Sequence, residues 1–429
     1  MFGFANFLLL ALFAAAVFDL IFALARGGGL RGALHGLWNT PHLLFGQQLA
    51  EWRLQIGRIL FAAGLAAYEI SVVFCNSMAR QNWAWVQGVM SPVLEWLAFL
   101  CFGAKILFGT RYTWRELLAS GALYFIARWV YFNSQNIWWI GIVVAVLAAK
   151  DVSLRRPLQV YFASGCAAMA VVLALHFAGI VAPDLTSERM GALRGTYGYG
   201  HPNTFGGLVF GLVLAYALLR AQKVRWVDCL LVFAVGVFLL VGPASRSAAL
   251  CTLALAVGLV FCRLRAGHSV PRWWPGTCAG MVGLTAAVSY LLPLLVIKVG
   301  PWNNDIGPAW LAKLDSLLTC RISLTWMAYR LLDVKIAGQV FNWPTVDNSF
   351  AFALFQFGPV VAALLGILFA AALWGHAKQG RRVEVCCLFA MLAYAYMEVQ
   401  PFHLTTNPTA LLLCGAVFAQ TSARWQKIE

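Results

Sequence analysis

From Arg194 onward in this 429-residue chain, four arginines, one histidine, two carboxylates and three carboxamides have types and spacings that could do chemistry. The densest group lies in Glu188–Gly207, ERMGALRGTYGYGHPNTFGG, a polar, glycine-rich stretch between two long apolar runs. Its six glycines (191, 195, 198, 200, 206 and 207) permit positive φ and let backbone N–H groups converge on an anion, with Gly198 and Gly200 flanking the candidate ligand groups. Arg194 contributes a planar fork suited to two phosphate oxygens at once. Pro202 sits where a proline is best tolerated, at the start of a helix expected over 203–220 that begins with Asn203. His201 has two readings: a general base near neutral pH, or a helix-start residue satisfied by backbone, which the spacing favours.

Three further segments carry such residues. Arg246 lies in GPASRSAAL between apolar runs, where a charge near membrane depth faces a cavity or a partner. Arg321 and Arg330 follow in LLTCRISLTWMAYRLL, and Asp347 and Asn348 open the apolar run VDNSFAFALFQFG, where the plain expectation is an N-cap carboxylate. Glu398 ends a later run before PFHLTTNP, with Asn407 across that loop, and a carboxylate at a membrane edge is a site candidate by default.

The elements that must position these groups are membrane helices. At 62% hydrophobic and 11% charged residues, the chain repeats long apolar runs separated by short polar gaps. The fold class expected is all-α: one polytopic membrane domain over 1–429, a helical bundle of about 13 transmembrane spans (12–14). The spans fall near 2–25, 59–79, 86–108, 117–132, 137–149, 158–182, 203–220, 227–243, 248–262, 278–297, 349–374, 383–399 and 408–422. The N-terminal MFGFANFLLL has no basic leading region, which favours a retained first helix over a cleaved signal. HGLWNTPHLLFGQQLAEW, within 33–51, is too polar to cross and reads as interfacial. Residues 298–348 form one long external loop with a helical pattern around 311–332. Asp19, Glu69, Glu95, Lys105 and Arg128 lie in or beside spans and are left to pair internally.

The net charge of +15 is scattered over many short loops, so it reports topology rather than a nucleic-acid surface. Threaded alternately, the spans put twenty basic residues on one side, from Arg26 to Lys427, nine on the other and two inside spans. The first side is then cytoplasmic and the N-terminus external. Seven of the nine external cations fall in two loops: Arg189 and Arg194, then Lys298, Lys313, Arg321, Arg330 and Lys335, with Arg80 and Arg246 completing the set. That concentration suggests an external anionic ligand, against the alternatives of solvated charge or lipid headgroup contact. The eleven cysteines lie mostly in apolar runs without metal-ligand spacing, and Cys386-Cys387 reads as packing. TYGYG (196–200) is one residue from the TVGYG potassium filter, but no apolar pore helix precedes it.

Together, RGTYGYGHPNTFGG (194–207), ASRSAAL (244–250), the arginine segment with VDNSFAFALFQFG (317–358), and Glu398 with Asn407 resemble the Wzy-type polysaccharide polymerases of the O-antigen ligase and polymerase superfamily. One departure is Cys320, where the family pattern has glycine before the arginine. The resemblance implies a glycosyltransferase-C-like, metal-independent enzyme of the plasma membrane with its active site outside. It would join repeat units carried on undecaprenyl pyrophosphate into O-antigen, capsule or exopolysaccharide. No cofactor is implied; the partners implied are lipid-linked glycans, the bilayer, a flippase and a chain-length regulator, and no nucleic acid. Carried over, Arg194, His201, Arg321 and Asp347 would be catalytic, and Asn203, Arg246 and Asn348 would bind substrate, joined by Arg330, Gly198, Gly200 and Glu398. The rivals are a ligase differing in acceptor, and a transporter or flippase, which would show two related halves with broken helices.

Overall fold

The computed structural model describes residues 2–25, 29–181, 187–189, 192–296 and 307–418. Arg26, Gly191, Lys298, Arg424 and Lys427 lie outside the described residues, as does the side chain of Arg189.

Apolar runs in lipid must satisfy their own backbone groups, and the helix does this within one segment. The first half of the chain accordingly forms α1 (Phe2–Ala25), α2 (Gly29–Asn39), α3 (Ala50–Cys75), the one-turn α4 (Ala79–Asn82), α5 (Ser91–Phe108), α6 (Trp114–Ser134), α7 (Ile137–Ala148) and α8 (Arg155–Phe177). The second half forms α9 (Pro202–Leu219), α10 (Trp226–Val241), α11 (Arg246–Leu264), α12 (Trp274–Leu291), α13 (Ala309–Leu317), α14 (Arg321–Leu331), the short α15 (Ser349–Phe352), α16 (Pro359–Lys378), α17 (Arg382–Met397) and the short α18 (Cys414–Val417). Two small antiparallel pairs complete the described structure: β1 (His42–Leu43) with β2 (Arg111–Tyr112), and β3 (Ser187–Arg189) with β4 (Ala192–Arg194).

Eight helical segments among the described residues have the length and hydropathy to cross a membrane: 3–25, 50–75, 86–108, 155–177, 202–219, 246–264, 274–295 and 359–378. Shorter apolar helices lie at Ile137–Ala148, Trp226–Val241 and Pro408–Val417. The protein is therefore a mostly helical, multi-pass membrane protein.

Three expected spans differ in detail. The run 349–374 is broken: α15 and a π-helical turn (Ala353–Phe357) end at Gly358, whose φ of 87° no L-residue adopts cheaply, and Pro359 restarts the chain as α16. The run from 408 opens as a 3₁₀ turn, Pro408–Leu413, started by the Asn407 side chain accepting from Ala410 N–H. The second expected span begins at Ala50 rather than 59, and the stretch expected to be interfacial divides between α2 and the β1–β2 pair.

The charged residues beside spans in the first half are largely structural. Asp19 pairs with His42 at 3.3 Å; Arg128 Nε donates to Asn6 Oδ1 at 2.7 Å. Lys105, buried, donates to Thr110 Oγ1 (2.7 Å) and to the carbonyl of Lys150, whose own Nζ lies 3.4 Å from Glu116 and 3.6 Å from Asp151. Cys262 and Cys386 approach to 3.5 Å between Sγ atoms as free thiols, in keeping with packing.

What positions the chemistry-bearing residues is the mutual packing of α9, α11 and α17. Pro202 and Arg246 start their helices at one end of this trio, and Met397 ends the third there. Gly207 and Gly211 let the end of α9 come against the segment after α17: a Cβ on Gly211 would sit 2.4 Å from the Thr405 carbonyl oxygen.

Candidate functional site

One carboxylate oxygen is the hub. Glu398 Oε1 accepts from Asn203 Nδ2 (3.1 Å), Ser247 Oγ (2.8 Å) and Arg321 Nη2 (2.6 Å). Asn203 Oδ1 in turn accepts from Arg194 Nη2 (2.8 Å), which also donates to the Ala244 carbonyl (3.2 Å). Arg194, Ser247, Arg321 and Glu398 are each under 9% exposed. Residues from four separated motifs thus meet in one buried network, with the two guanidiniums separated only by one amide and one carboxylate.

Local sequence explains how each segment arrives. His201 is extended (φ −154°, ψ 141°) and caps α9, its Nδ1 accepting from Asn203 N–H at 3.1 Å. Because a backbone N–H can only donate, Nδ1 carries no proton and Nε2–H is the ring's donor. The helix-start reading therefore describes His201 in this structure, and the ring is exposed. At α14 the cap comes from a distance: buried Asp315 accepts from Ile322 N–H (2.7 Å), Ser323 N–H (3.2 Å) and Ser323 Oγ (2.8 Å). Cys320, at the cap position itself, has φ 65°, the left-handed conformation that glycine adopts freely. The glycine expected there is thus replaced at a conformational cost. At α11, by contrast, Ser245 makes no side-chain cap, so the first-turn N–H groups around Arg246 and Ser247 are left to other partners.

Arg321 uses its whole fork on the protein. Nε donates to the Met397 carbonyl, Nη1 to the Leu318 carbonyl (2.9 Å) and Thr319 Oγ1, and Nη2 to Ser247 Oγ (3.3 Å) and Glu398. These are all five of its donors. Its positive charge reaches the site, while its geometry ties α14, α11 and the end of α17 together.

The remaining candidates are placed as follows. Arg246 is the first residue of α11, exposed, one position before the network's Ser247. Asp347 is half-buried, close enough to Glu398 for their charges to interact, but the cap expected of it belongs to Asn348. Asn348 Oδ1 accepts from Phe350 N–H (2.9 Å) and Ala351 N–H (3.1 Å), and its Nδ2 donates to Ser289 Oγ and the Tyr396 carbonyl, both at 3.1 Å. A neutral carboxamide that both accepts and donates serves two helices here, which a carboxylate could not. Gly198 takes φ 81° and its carbonyl accepts from Met78 N–H (2.8 Å), docking the glycine-rich loop on the end of α3; Gly200 is exposed. Arg330 stands nine residues along α14 from Arg321, about 13 Å on, exposed over the Trp326 ring, and is not brought to the network.

Sequence reasoning missed Ser247, Ser349, Asp315 and Gln400. Ser349 Oγ donates to the Glu398 carbonyl (2.6 Å), and Gln400, held by Tyr394 Oη at 2.7 Å, donates to the Asn203 carbonyl (3.2 Å). Ser247 stood inside the ASRSAAL motif and Ser349 inside VDNSFAFALFQFG, and both could have been found there; Asp315 and Gln400 carried no signal of their own. Beside Ser349 lies an apolar cavity lined by Trp139, Phe350, Phe369, Met391 and Phe402, with Asn407 also at its wall. No family model, no curated protein and no solved structure matches this chain.

Proposed function

We propose that the protein is a glycosyltransferase of the Wzy polymerase type, a glycosyltransferase-C-like bundle of about thirteen spans in the plasma membrane with the Glu398 network facing outside. The observation that carries this is the meeting of Arg194, Asn203, Ser247, Arg321 and Glu398 from four motifs in one buried, net-positive network beside an apolar cavity. A lipid-linked sugar pyrophosphate has matching parts: a multiply charged anion and a long apolar tail.

In the reaction, a hydroxyl oxygen of the incoming repeat unit attacks the anomeric carbon of the chain on its lipid pyrophosphate. The bond from that carbon to the pyrophosphate oxygen breaks, its electron pair leaves on the phosphate, and the hydroxyl proton passes to a base. Arg194 and Arg321 supply fixed charge to the departing pyrophosphate, and stabilisation of charge that develops in the transition state is commonly the largest catalytic effect. The start of α11, which has no side-chain cap from Ser245 and carries Arg246 on its rim, turns the positive end of a helix dipole toward phosphate oxygens. Asp347 or His201 takes that proton; His201 can accept it at Nδ1 only by giving up its cap.

The test is the fate of lipid-linked repeat units in cells lacking the gene. Single units should accumulate on the outer leaflet while their synthesis and export continue. Units confined to the inner leaflet would overturn this reading in favour of a transporter, and normal chains that fail only to reach their final acceptor would favour a ligase.

A further inference from the structure

The trio α9, α11 and α17 has a second end. There the chain after α9 (Ala221–Val224), the last turn of α11 and the first turn of α17 surround a cavity of about 400 Å³. The 16 residues of α17 and the 19 of α11 put it roughly 24–28 Å from the Glu398 network, so it is a separate place in the fold. Lys223, Arg263, Arg381 and Arg382 line it, against one carboxylate, Glu384. Nearby Asp228 is committed to Tyr216 Oη (2.6 Å) and Arg220 Nε (3.1 Å) and does not offset these cations.

Three of these four cations fall into two kinds. Arg382 is structural, its guanidinium donating to the carbonyls of Arg265, His268 and Ser269 to close the loop that follows α11. Lys223 and Arg263 are exposed and make no ion pair among the described residues. A second, independent feature points the same way: α17, a helix of 16 residues, starts here without a side-chain cap from Arg381, and although Arg382 N–H already donates to the Gly380 carbonyl (3.0 Å), the positive end of the helix dipole faces the cavity. Around the mouth, Trp226 (53% exposed), Val227 and Leu264 present apolar surface next to the basic residues. Tryptophan and arginine side by side at a helix end are the signature of the membrane–water interface. The ligand thus meets a wall of cations at headgroup depth with apolar contacts alongside.

We propose that this cavity binds the phosphate of an anionic phospholipid in the leaflet at that end of the bundle. Lys223 and Arg263 hold the phosphate oxygens, the positive end of the α17 dipole faces them, and the acyl chains run down the apolar faces of α10 and α11. A soluble phosphate shares the anion but has nothing to place on Trp226 or Leu264.

The experiment uses the purified full-length protein in a neutral detergent, with phosphatidylglycerol, phosphatidylcholine or inorganic phosphate added. Lipid retention is read by native mass spectrometry and stability by thermal unfolding. Phosphatidylglycerol should stay bound and raise the unfolding temperature, while phosphatidylcholine and inorganic phosphate should do neither. Lys223→Gln with Arg263→Gln should weaken phosphatidylglycerol binding about twenty-fivefold, about fivefold for each surface cation removed. The charge-preserving pair Lys223→Arg with Arg263→Lys should retain it, which separates lost charge from lost fold. Equal retention by wild type and the double glutamine variant would overturn the site. A shift reproduced by inorganic phosphate alone would overturn the lipid and leave a soluble-anion site.

Discussion

Replacing Glu398 by glutamine changes almost no volume and one charge. The oxygen facing Asn203, Ser247 and Arg321 can remain an acceptor, so the variant isolates the charge of the hub. In the wild type that charge faces Arg321 at 2.6 Å, with the two side chains 6% and 8% exposed. Removing one partner of a buried pair costs about 3–5 kcal/mol, because the other charge stays buried without its counter-ion. For a chain larger than 250 residues the lower end of the usual scaling, about 2 °C per kcal/mol, applies, so Glu398→Gln should unfold roughly 6–10 °C earlier. The assay is thermal unfolding of detergent-purified protein, followed by size exclusion or intrinsic fluorescence. A cycle with Arg321→Met should show coupling of about 2–3 kcal/mol, since the two residues touch. A Glu398→Gln variant within about 1 kcal/mol of wild type, or two changes that simply add, would refute the hub.

The cap at His201 makes His201→Asn informative: asparagine keeps an N-cap acceptor, so stability should stay near wild type, while loss of a base lowers polymer formation by about 10²–10⁴-fold. Full activity in that variant would pass the role to Asp347. Cys320 is an exposed cysteine in the expected external loop, so an impermeant maleimide should label it on intact cells, and Cys320→Gly should remove the label and stabilise the protein by about 1 kcal/mol. Labelling only after lysis would invert the orientation. Gly211→Ala, whose new Cβ would meet backbone at 2.4 Å, should cost about 1–3 kcal/mol in thermal unfolding, whereas Gly366→Ala, with nothing within 4 Å, should be neutral or better. Arg321→Lys should lose both stability and polymer formation, since three donors replace five, whereas the exposed Arg246→Lys should fold normally and lose activity only in part; the reverse order would show that Arg321 is not a strut.

Most helices were legible because hydropathy over 18 or more residues is a strong signal and α9 also carries Pro202 at its start. The break at Gly358 was harder to read: the residues on both sides, FAFALFQF and VVAALLG, are equally apolar, and only the Gly-Pro step marks the change of direction. At Cys320 the backbone takes a left-handed φ of 65°, which glycine adopts freely and which nothing in the residues around a cysteine announces. The hub was legible only in part. Glu398 could be singled out as a carboxylate at a membrane edge, but its partners lie 77, 151 and 195 residues away, and no periodicity reaches that far. Asp315 illustrates the same limit at shorter range, since a cap seven residues before the Ile322 N–H it accepts from has no local sequence signature.

The network also changes what the arginines do. Three forks closing directly on one pyrophosphate is the simplest expectation from three motif arginines, yet Arg321 has no donor left over and Arg194 already spends one terminal nitrogen on Asn203 and Ala244. What these two residues contribute without rearrangement is charge: two guanidiniums against one carboxylate leave the buried network net positive, in surroundings where screening by water is weak. Direct donors must come from elsewhere. The N-termini of α9 and α14 are capped, by His201 and Asp315, so their first N–H groups have acceptors; the start of α11 lacks a side-chain cap and lies between Arg194's partner Ala244 and Arg321's partner Ser247. An anion seated there would take backbone N–H groups and the Arg246 side chain as ligands, with Arg194 and Arg321 fixing the potential behind it. The division separates holding from charging: Glu398 is needed because without it Arg321 would be a buried cation repelling Arg194 rather than a strut beside it.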